Sequence, residues 1–164
     1  MNQSVILLGG NLGNRKAILT EALRLIASQC GSITKSSGIY ESEAWGFDAK
    51  ESFLNQAIII ETPLNSSKLL MNLQAIESEL GRTKKTAADQ KYESRLIDID
   101  ILFFNNDIIN KKNLHIPHPR LHLRKFTLDC LLDIIPNFQH PEFNISISEL
   151  SEACPDHSKV WQYA

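Results

Sequence analysis

The chain has 164 residues, a length that predicts one domain with a sizeable buried core. Its composition is that of an ordinary globular protein, and a net charge of −2 with a pI near 6.2 excludes a protein held to nucleic acid by a general basic excess. The three cysteines lie far apart without a C-x-x-C pair, which disfavours a disulfide framework or a zinc site and favours a reducing cytoplasm. The sequence shows neither a signal-peptide pattern nor an apolar run of transmembrane length, so we expect a cytoplasmic protein that contacts no membrane.

Apolar periodicity and turn residues define the elements of the first half of the chain. They predict a strand at residues 5–8, a helix at 15–29, strands at 33–40 and 53–62, and a helix between Asn65 and Gly81. The strand at 33–40 is expected to be interrupted by Ser36-Ser37-Gly38. The turn after the first strand contains Gly9 and Gly10, which would let backbone approach a ligand closely. Without a Gly-Lys-Ser/Thr ending or a G-x-G-x-x-G pattern, this turn is only a weak signal for phosphate binding.

Residues 95–104 form the most informative stretch, because apolar and polar residues alternate there with the period of a strand. One face is expected to be apolar and to consist of Ile97, Ile99, Ile101 and Phe103. Asp98 and Asp100 would share the other face, where two like charges repel each other unless a cation lies nearby. This pair predicts a site for Mg²⁺ carrying a phosphate chain; the alternative is an amphipathic strand whose polar face meets only water.

Two loops carry side chains that suit a ligand. Residues 41–52 include Trp45, so this loop is either a lid over a flat ligand or a small hydrophobic cluster on the core. At its end Phe53 and Asn55 would share one strand face, which combines an aromatic plate with an amide able to read a planar heterocycle. The basic segment 82–95 is either a solvated loop or a mobile lid next to the Asp strand.

The last third of the chain carries weaker signals. Ile108 and Ile109 follow a turn and are expected to pair with the Asp strand as a hairpin. Three histidines between residues 115 and 122 have no further cluster to complete a zinc site. Apolar spacing predicts a helix over residues 128–135, and residues 137–164 show no chemical motif.

The order strand, helix, strand, strand, helix, strand predicts an α+β fold with a ferredoxin-like βαββαβ core, helices on one face of an antiparallel sheet, and a C-terminal hairpin and helix extension. RNA-recognition modules share this order and provide the alternative function, a module that binds RNA or a nucleotide without catalysis. The chain lacks their Lys/Arg-Gly-Phe/Tyr pattern, and two carboxylates on a strand face would repel RNA. A small regulatory domain that binds an amino acid would need neither the Asp pair nor the basic segment.

Five motifs, in order, resemble the 6-hydroxymethyl-7,8-dihydropterin pyrophosphokinase family: Gly9-Gly10-Asn11-Leu12, Phe53-Leu54-Asn55, Gln74 with Glu77 before Gly81-Arg82, Arg95-Leu96-Ile97-Asp98-Ile99-Asp100-Ile101, and Ile116-Pro117-His118-Pro119-Arg120 followed by Arg124 and Phe126. The resemblance covers about residues 4–136. It implies a single pyrophosphokinase domain over residues 1–164 that transfers the β,γ-diphosphate of ATP to the pterin and releases AMP in folate biosynthesis.

The resemblance also implies roles for particular residues. Asp98 and Asp100 would hold two Mg²⁺ ions and would act with Arg82 and Arg95 as the catalytic group. The pterin would contact Ser42, Glu43, Ala44, Trp45, Phe53, Asn55 and Phe126. The nucleotide would contact Gln74, Glu77, Lys84, Lys91, Tyr92, Arg95, Ile101, His118 and Arg124. The expected partners are these two small molecules only, with no nucleic acid, and we expect a monomer.

Overall fold

A computed structural model describes residues 1–46, 50–81 and 96–163. The strands are β1 (Asn2–Gly10), β2 (Ser32–Ser36), β3 (Tyr40–Ser42), β4 (Phe53–Thr62), β5 (Asp98–Phe104), β6 (Ile109–Lys111), β7 (Leu114–Ile116) and β8 (Val160–Gln162). The helices are α1 (Arg15–Gln29), α2 (Ser66–Glu79), α3 (Lys125–Ile134) and α4 (Ile147–Glu152), with a short 3-10 helix at Leu121–Leu123. The side chains of Asn14 and Asn65 cap α1 and α2 by accepting a backbone N–H from the first helical turn.

The main sheet has the predicted ferredoxin-like topology. Its strands lie in the order β5-β1-β4-β3-β8, with β2 paired to β4 next to β3. All of these pairings are antiparallel, and β1 and β4 occupy the centre. Because β1 and β5 are neighbours, the strand that carries the aspartates lies directly beside the glycine-ended first strand.

Helices cover both faces of this sheet, whereas the sequence predicted helices on one face only. One core joins the sheet to the first two helices through Ile6, Leu8, Leu19, Ile26, Ile58, Leu73, Ile76 and Ile99, among others. A second core joins the opposite face to the last two helices through Val5, Leu7, Ala57, Leu102, Phe103, Leu128, Leu131, Ile147 and others. The C-terminal helices therefore close the face onto which the aspartates project.

A β-bulge changes the alternation predicted for the Asp strand. Val5 pairs with Phe103 and the next residue, Ile6, pairs with Ile101, so Leu102 is an extra residue in β5. Phe103 consequently turns away from Ile101 and joins the core under α3. The prediction that Phe103 shares a face with Ile101 is wrong for this reason.

The interruption predicted within residues 33–40 is confirmed, whereas one hairpin prediction needs correction. The chain divides there into β2 and β3 at Ser37, whose hydroxyl accepts the backbone N–H of Ala57 at 2.9 Å in place of a regular ladder contact. The predicted pairing of Ile108 and Ile109 with the Asp strand is wrong, since β6 pairs with β7 in a separate sheet. Asp107 closes a turn on Phe104 that directs the chain away from β5.

None of the helices in the described ranges combines the length and the apolar character needed to cross a membrane.

Candidate active site

The site is built on one row of residues that crosses four strands. Tyr40 pairs with Asn55, Asn55 pairs with Gly9, and Gly9 pairs with Asp98. Paired residues project to the same face of a sheet, so Asn55 and Asp98 face α3 with only a glycine between them, about 10 Å apart across two strand spacings. In the next row Leu7 pairs with Asp100 and with Ala57, which places the second aspartate on the same face. The two aspartates and the Asn55 amide therefore lie on one face of the sheet.

Gly9 leaves the sheet surface between Asn55 and Asp98 uncovered. A Cβ atom at this position would lie 3.1 Å from Asn55 Oδ1 and 3.4 Å from Leu54 O. Any side chain larger than hydrogen would therefore cover the Asn55 amide. The glycine that sequence reasoning treated as a weak phosphate signal serves here as an unobstructed surface between Asn55 and Asp98.

Asn55 is held in one orientation by its neighbours. It is 2% exposed, and its Nδ2 atom donates to the Tyr40 carbonyl at 3.1 Å and to the Ser42 hydroxyl at 2.9 Å. Since both amide hydrogens are engaged, Oδ1 is the atom turned towards Gly9. Ser42, predicted to contact the pterin, is itself buried and acts here by orienting Asn55.

Asp98 and Asp100 have partly buried side chains on the same face of β5. Within the described ranges, no group of three or more His, Cys, Asp or Glu residues has an arrangement that would hold a metal ion. Two carboxylates without a fuller protein cage fit a hard cation such as Mg²⁺, which keeps several waters and takes phosphate oxygens as ligands.

His118 is a neutral hydrogen-bond donor. Its Nδ1 atom accepts the backbone N–H of Arg120 at 3.1 Å, so the ring proton is on Nε2. Burial, followed by the charges of Arg124 and Arg120, lowers the pKa of His118 to about 4, while Asp98 acts in the opposite direction. The backbone N–H of His118 donates to Leu102 O at the bulge, which places the imidazole near β5.

The start of α3 forms an aromatic and cationic wall. The guanidinium carbon of Arg124 lies 4.7 Å from the centre of the Trp45 ring and 5.9 Å from that of Phe126. Arg124, predicted for the nucleotide, is therefore in contact with two residues predicted for the pterin. Phe53 is partly buried and pairs with Ser42, so it lies on the same sheet face as Asn55.

Three further predicted nucleotide residues, Gln74, Glu77 and Ile101, belong to α2 and to the face of β5 that packs on it. Glu77 is 4% exposed, and its Oε2 atom accepts the backbone N–H of Ile99 at 2.7 Å. A side chain of α2 therefore holds the backbone of β5 between the two aspartates. Ile101 is buried in the core under α2, which leaves its backbone as the part able to meet a ligand. Gln74, one helical turn before Glu77, is exposed.

The structure does not describe every predicted residue. The basic segment 82–95 lies outside the described ranges, and with it Arg82, Lys84, Lys91, Tyr92 and Arg95. Of the predicted pterin loop, Ala44 is partly buried and Glu43 is exposed.

Sequence reasoning missed a polar network that fixes the base of this loop. Glu41 accepts hydrogen bonds from Arg15 at 2.8 Å, from the Ser52 hydroxyl at 2.6 Å and from the Trp161 indole at 3.0 Å. The Ser52 hydrogen bond lowers the pKa of Glu41; burial opposes this effect, and Arg15 and Trp161 add to it. The available signal was Glu41 itself, a charged residue at the start of the loop predicted over residues 41–52. Its partners come from distant parts of the chain and could not be identified by spacing.

The comparisons with known proteins agree with this geometry. Residues 5–136 match the family model described as 7,8-dihydro-6-hydroxymethylpterin-pyrophosphokinase. The 2-amino-4-hydroxy-6-hydroxymethyldihydropteridine pyrophosphokinase of Bacillus subtilis is 40% identical over 134 residues, which cover 81% of this chain and 78% of that protein. The protein of the same name from Aquifex aeolicus is 37% identical over 142 residues, 87% of this chain and 86% of that protein.

Longer proteins also match. The chain is 39% identical over 157 residues to the folic acid synthesis protein fol1 of Pneumocystis carinii, a match that covers 95% of this chain but only 21% of that protein. The crystal structure of Plasmodium falciparum HPPK-DHPS with STZ-DHP superposes with a TM-score of 0.75 at 20% identity, over 93% of this chain and 43% of that one. This structural likeness concerns the fold alone. From the family match and the bacterial relatives, the chain belongs to the 7,8-dihydro-6-hydroxymethylpterin-pyrophosphokinase family.

Proposed function

We propose that this chain transfers the β,γ-diphosphate of ATP to the hydroxymethyl oxygen of 6-hydroxymethyl-7,8-dihydropterin, giving AMP and the pterin diphosphate in folate biosynthesis. The observation that carries this proposal is the row Asn55–Gly9–Asp98, which joins a heterocycle-reading amide to a carboxylate pair across an open glycine. Family membership agrees with it. A non-catalytic RNA-binding module is not favoured, because it would not need the carboxylate pair.

The pterin would lie over Gly9 with its edge against Asn55. The oriented Oδ1 atom of Asn55 would accept a ring or amino N–H, a contact that a buried amide makes with high selectivity. Phe53 and Phe126 would provide the flat apolar surfaces above and below the ring, with Trp45 and Arg124 closing the edge. The backbone of residues 42–45 would complete the recognition.

The nucleotide phosphates would lie on the Asp98 side of the same row. Mg²⁺ held by Asp98 and Asp100, with two ions expected, would supply charge neutralisation for the bridging oxygens. The neutral His118 would donate its Nε2–H to a phosphate or ribose oxygen. Glu77 would act indirectly, since it fixes the Ile99 peptide between the two aspartates.

The reaction would form a bond between the hydroxymethyl oxygen and the β-phosphorus and break the bond between that phosphorus and the oxygen bridging to the α-phosphate, so AMP leaves. Such a transfer depends mainly on holding attacking and leaving oxygens in line and on neutralising charge. The sheet row supplies the alignment by binding the two substrates at its two ends. Arg82, Lys84, Lys91, Tyr92 and Arg95, in the segment outside the described ranges, would contribute further contacts to the phosphates and the nucleotide.

We further propose that the 164 residues act as one domain, as a monomer, in the cytoplasm. Support for one domain comes from β8, which pairs with β3 and so ties the end of the chain to the main sheet. The cysteine thiols of Cys30, Cys130 and Cys154 are all unpaired, which suits a reducing compartment.

The direct test is nucleotide analysis after incubation of the purified chain with ATP and Mg²⁺, with and without 6-hydroxymethyl-7,8-dihydropterin. We expect AMP to accumulate only with the pterin, and to disappear when Mg²⁺ is removed with a chelator. Accumulation of ADP, or AMP formed equally without the pterin, would refute the proposed reaction.

A further inference from the structure

The first helical turn of α3, which carries Phe126 and follows Arg124, is not capped by its own sequence. Its N-cap residue, Arg124, makes no side-chain capping hydrogen bond. Instead Asp156 Oδ2 accepts the backbone N–H of Lys125 at 3.0 Å from 31 positions further along the chain. A carboxylate at this point also interacts favourably with the helix dipole. The wall of the candidate pterin site therefore depends on the C-terminal segment for its anchoring.

The same segment anchors the opposite wall. β8 pairs with β3, and Val160 stands opposite Ser42. The contact continues into the pterin loop, because the Glu43 N–H donates to Lys159 O at 3.4 Å and the Lys159 N–H donates to Glu43 Oε1 at 3.2 Å. These two hydrogen bonds hold the loop at Glu43, two residues before Trp45.

Only two residues, His157 and Ser158, separate the two attachment points, Asp156 and Lys159. A chain of this length spans at most about 11 Å, so it limits the distance between the walls. It is also stiffened locally, because Asp156 Oδ1 accepts hydrogen bonds from both the backbone N–H and the hydroxyl of Ser158. Burial alone would raise the pKa of Asp156, but these hydrogen bonds together with the Lys125 N–H and the charge of His157 lower it.

We propose that residues 156–163 form a brace that sets the gap between the 42–45 loop and the start of α3, with Asp156 as its positioning residue for pterin binding. The proposal rests on the proposed function, because the gap is the one in which the pterin would lie. Arg124 on α3 already meets Trp45 on the loop across it. The hydrogen bonds of the brace reach Lys125 of α3, Glu43 of the loop and strand β3, whereas the nucleotide side is formed by β5, α2 and His118.

The test compares Asp156→Ala with a matched control, Glu149→Ala. Glu149 also caps a helix, since it forms a capping box with Ser146 at the start of α4. The dissociation constants of 6-hydroxymethylpterin and of a non-hydrolysable ATP analogue would be measured by titration calorimetry with Mg²⁺, together with the melting temperature. Asp156→Ala is expected to weaken pterin binding on the order of fivefold and to leave the ATP analogue unaffected. Glu149→Ala is expected to lower the melting temperature and to change neither affinity.

The outcomes separate the two proposals. If Asp156→Ala weakened the binding of both ligands equally, or left pterin binding unchanged, the brace would be rejected. The proposed function would stand as long as the wild-type chain still made AMP. A wild-type chain that binds no pterin would overturn the proposed function and the brace with it. If Asp156→Ala does not fold, Asp156→Asn is the second variant, because it keeps one acceptor oxygen and should weaken pterin binding by a smaller factor; an unchanged affinity there would equally reject the brace.

Discussion

Asp98 and Asp100 carry the most direct residue-scale prediction. Asp98→Asn or Asp100→Asn keeps the shape of the side chain and removes one charge, so turnover should fall on the order of a hundredfold or more through loss of metal ligation. The folded state should be no less stable without ligand, because one like-charge repulsion is relieved. AMP formation and melting temperature would be measured together, with the exposed Asp107→Asn as control. Near-normal turnover at ordinary Mg²⁺ would reject the metal assignment.

His118 supplies a prediction about pH. Its pKa in the folded protein, about 4, is below the ordinary value of 6.5, chiefly because of burial. Between these values the unfolded chain binds more protons than the folded one, so the contribution of this residue to stability is complete above pH 6.5 and is lost as the pH falls towards 4.

The comparison of wild type with His118→Gln measures that contribution. The variant should lose less stability than wild type when denaturant unfolding is followed from pH 7 down to about 4.5. The exposed His115→Gln serves as control and should follow the wild-type curve. Parallel curves for wild type and His118→Gln would show that His118 is not held neutral by the fold.

At the scale of elements, α3 is assigned to the pterin rather than to the nucleotide. Phe126→Ala removes a partly buried ring at the start of this helix, so pterin affinity should fall roughly tenfold while ATP-analogue affinity stays within about twofold. Titration of each ligand separately would measure both effects. Phe143→Ala, which removes a ring that is 41% exposed, is the control. An equal loss for both ligands would argue against a pterin stacked on Phe126.

The neighbouring strands β1 and β4 give a second prediction at this scale. Gly9→Ala places a Cβ atom 3.1 Å from Asn55 Oδ1, so the KM for the pterin should rise several-fold because the amide is covered. A Gly9→Ala variant with a normal KM for the pterin would mean that the pterin does not lie over Gly9.

Elements could be predicted from the sequence where local periodicity decides them. The period-two pattern around Asp98 correctly places its side chain away from Ile99, and β4 has the predicted bounds. The bulge at Leu102 could not be predicted, because it depends on the pairing of β5 with Val5 and Ile6 about a hundred residues earlier. The hairpin partner of β6 was missed for a similar reason: two isoleucines do not specify which edge they join.

For the whole molecule, the fold class and the family could be predicted because the elements and short motifs follow one another in a characteristic order. That α3 and α4 cover the second face of the sheet could not be predicted. Residues 137–163 carry no chemical motif, yet Asp156 and β8 hold both walls of the candidate site through contacts with Lys125 and Ser42. Capping by a carboxylate 31 positions away leaves no local pattern in the sequence. The sequence therefore proposes ligand-facing residues for the candidate site but does not predict the contacts that support them.

The proposed reaction transfers a diphosphate, not a single phosphate, to the pterin. ATP labelled at the β-phosphorus distinguishes the two when it is incubated with the chain, Mg²⁺ and 6-hydroxymethyl-7,8-dihydropterin and the products are separated. For diphosphate transfer, we expect the label to move entirely into the pterin product and the AMP released to be unlabelled. Label retained in ADP, with a pterin carrying one phosphate, would contradict it.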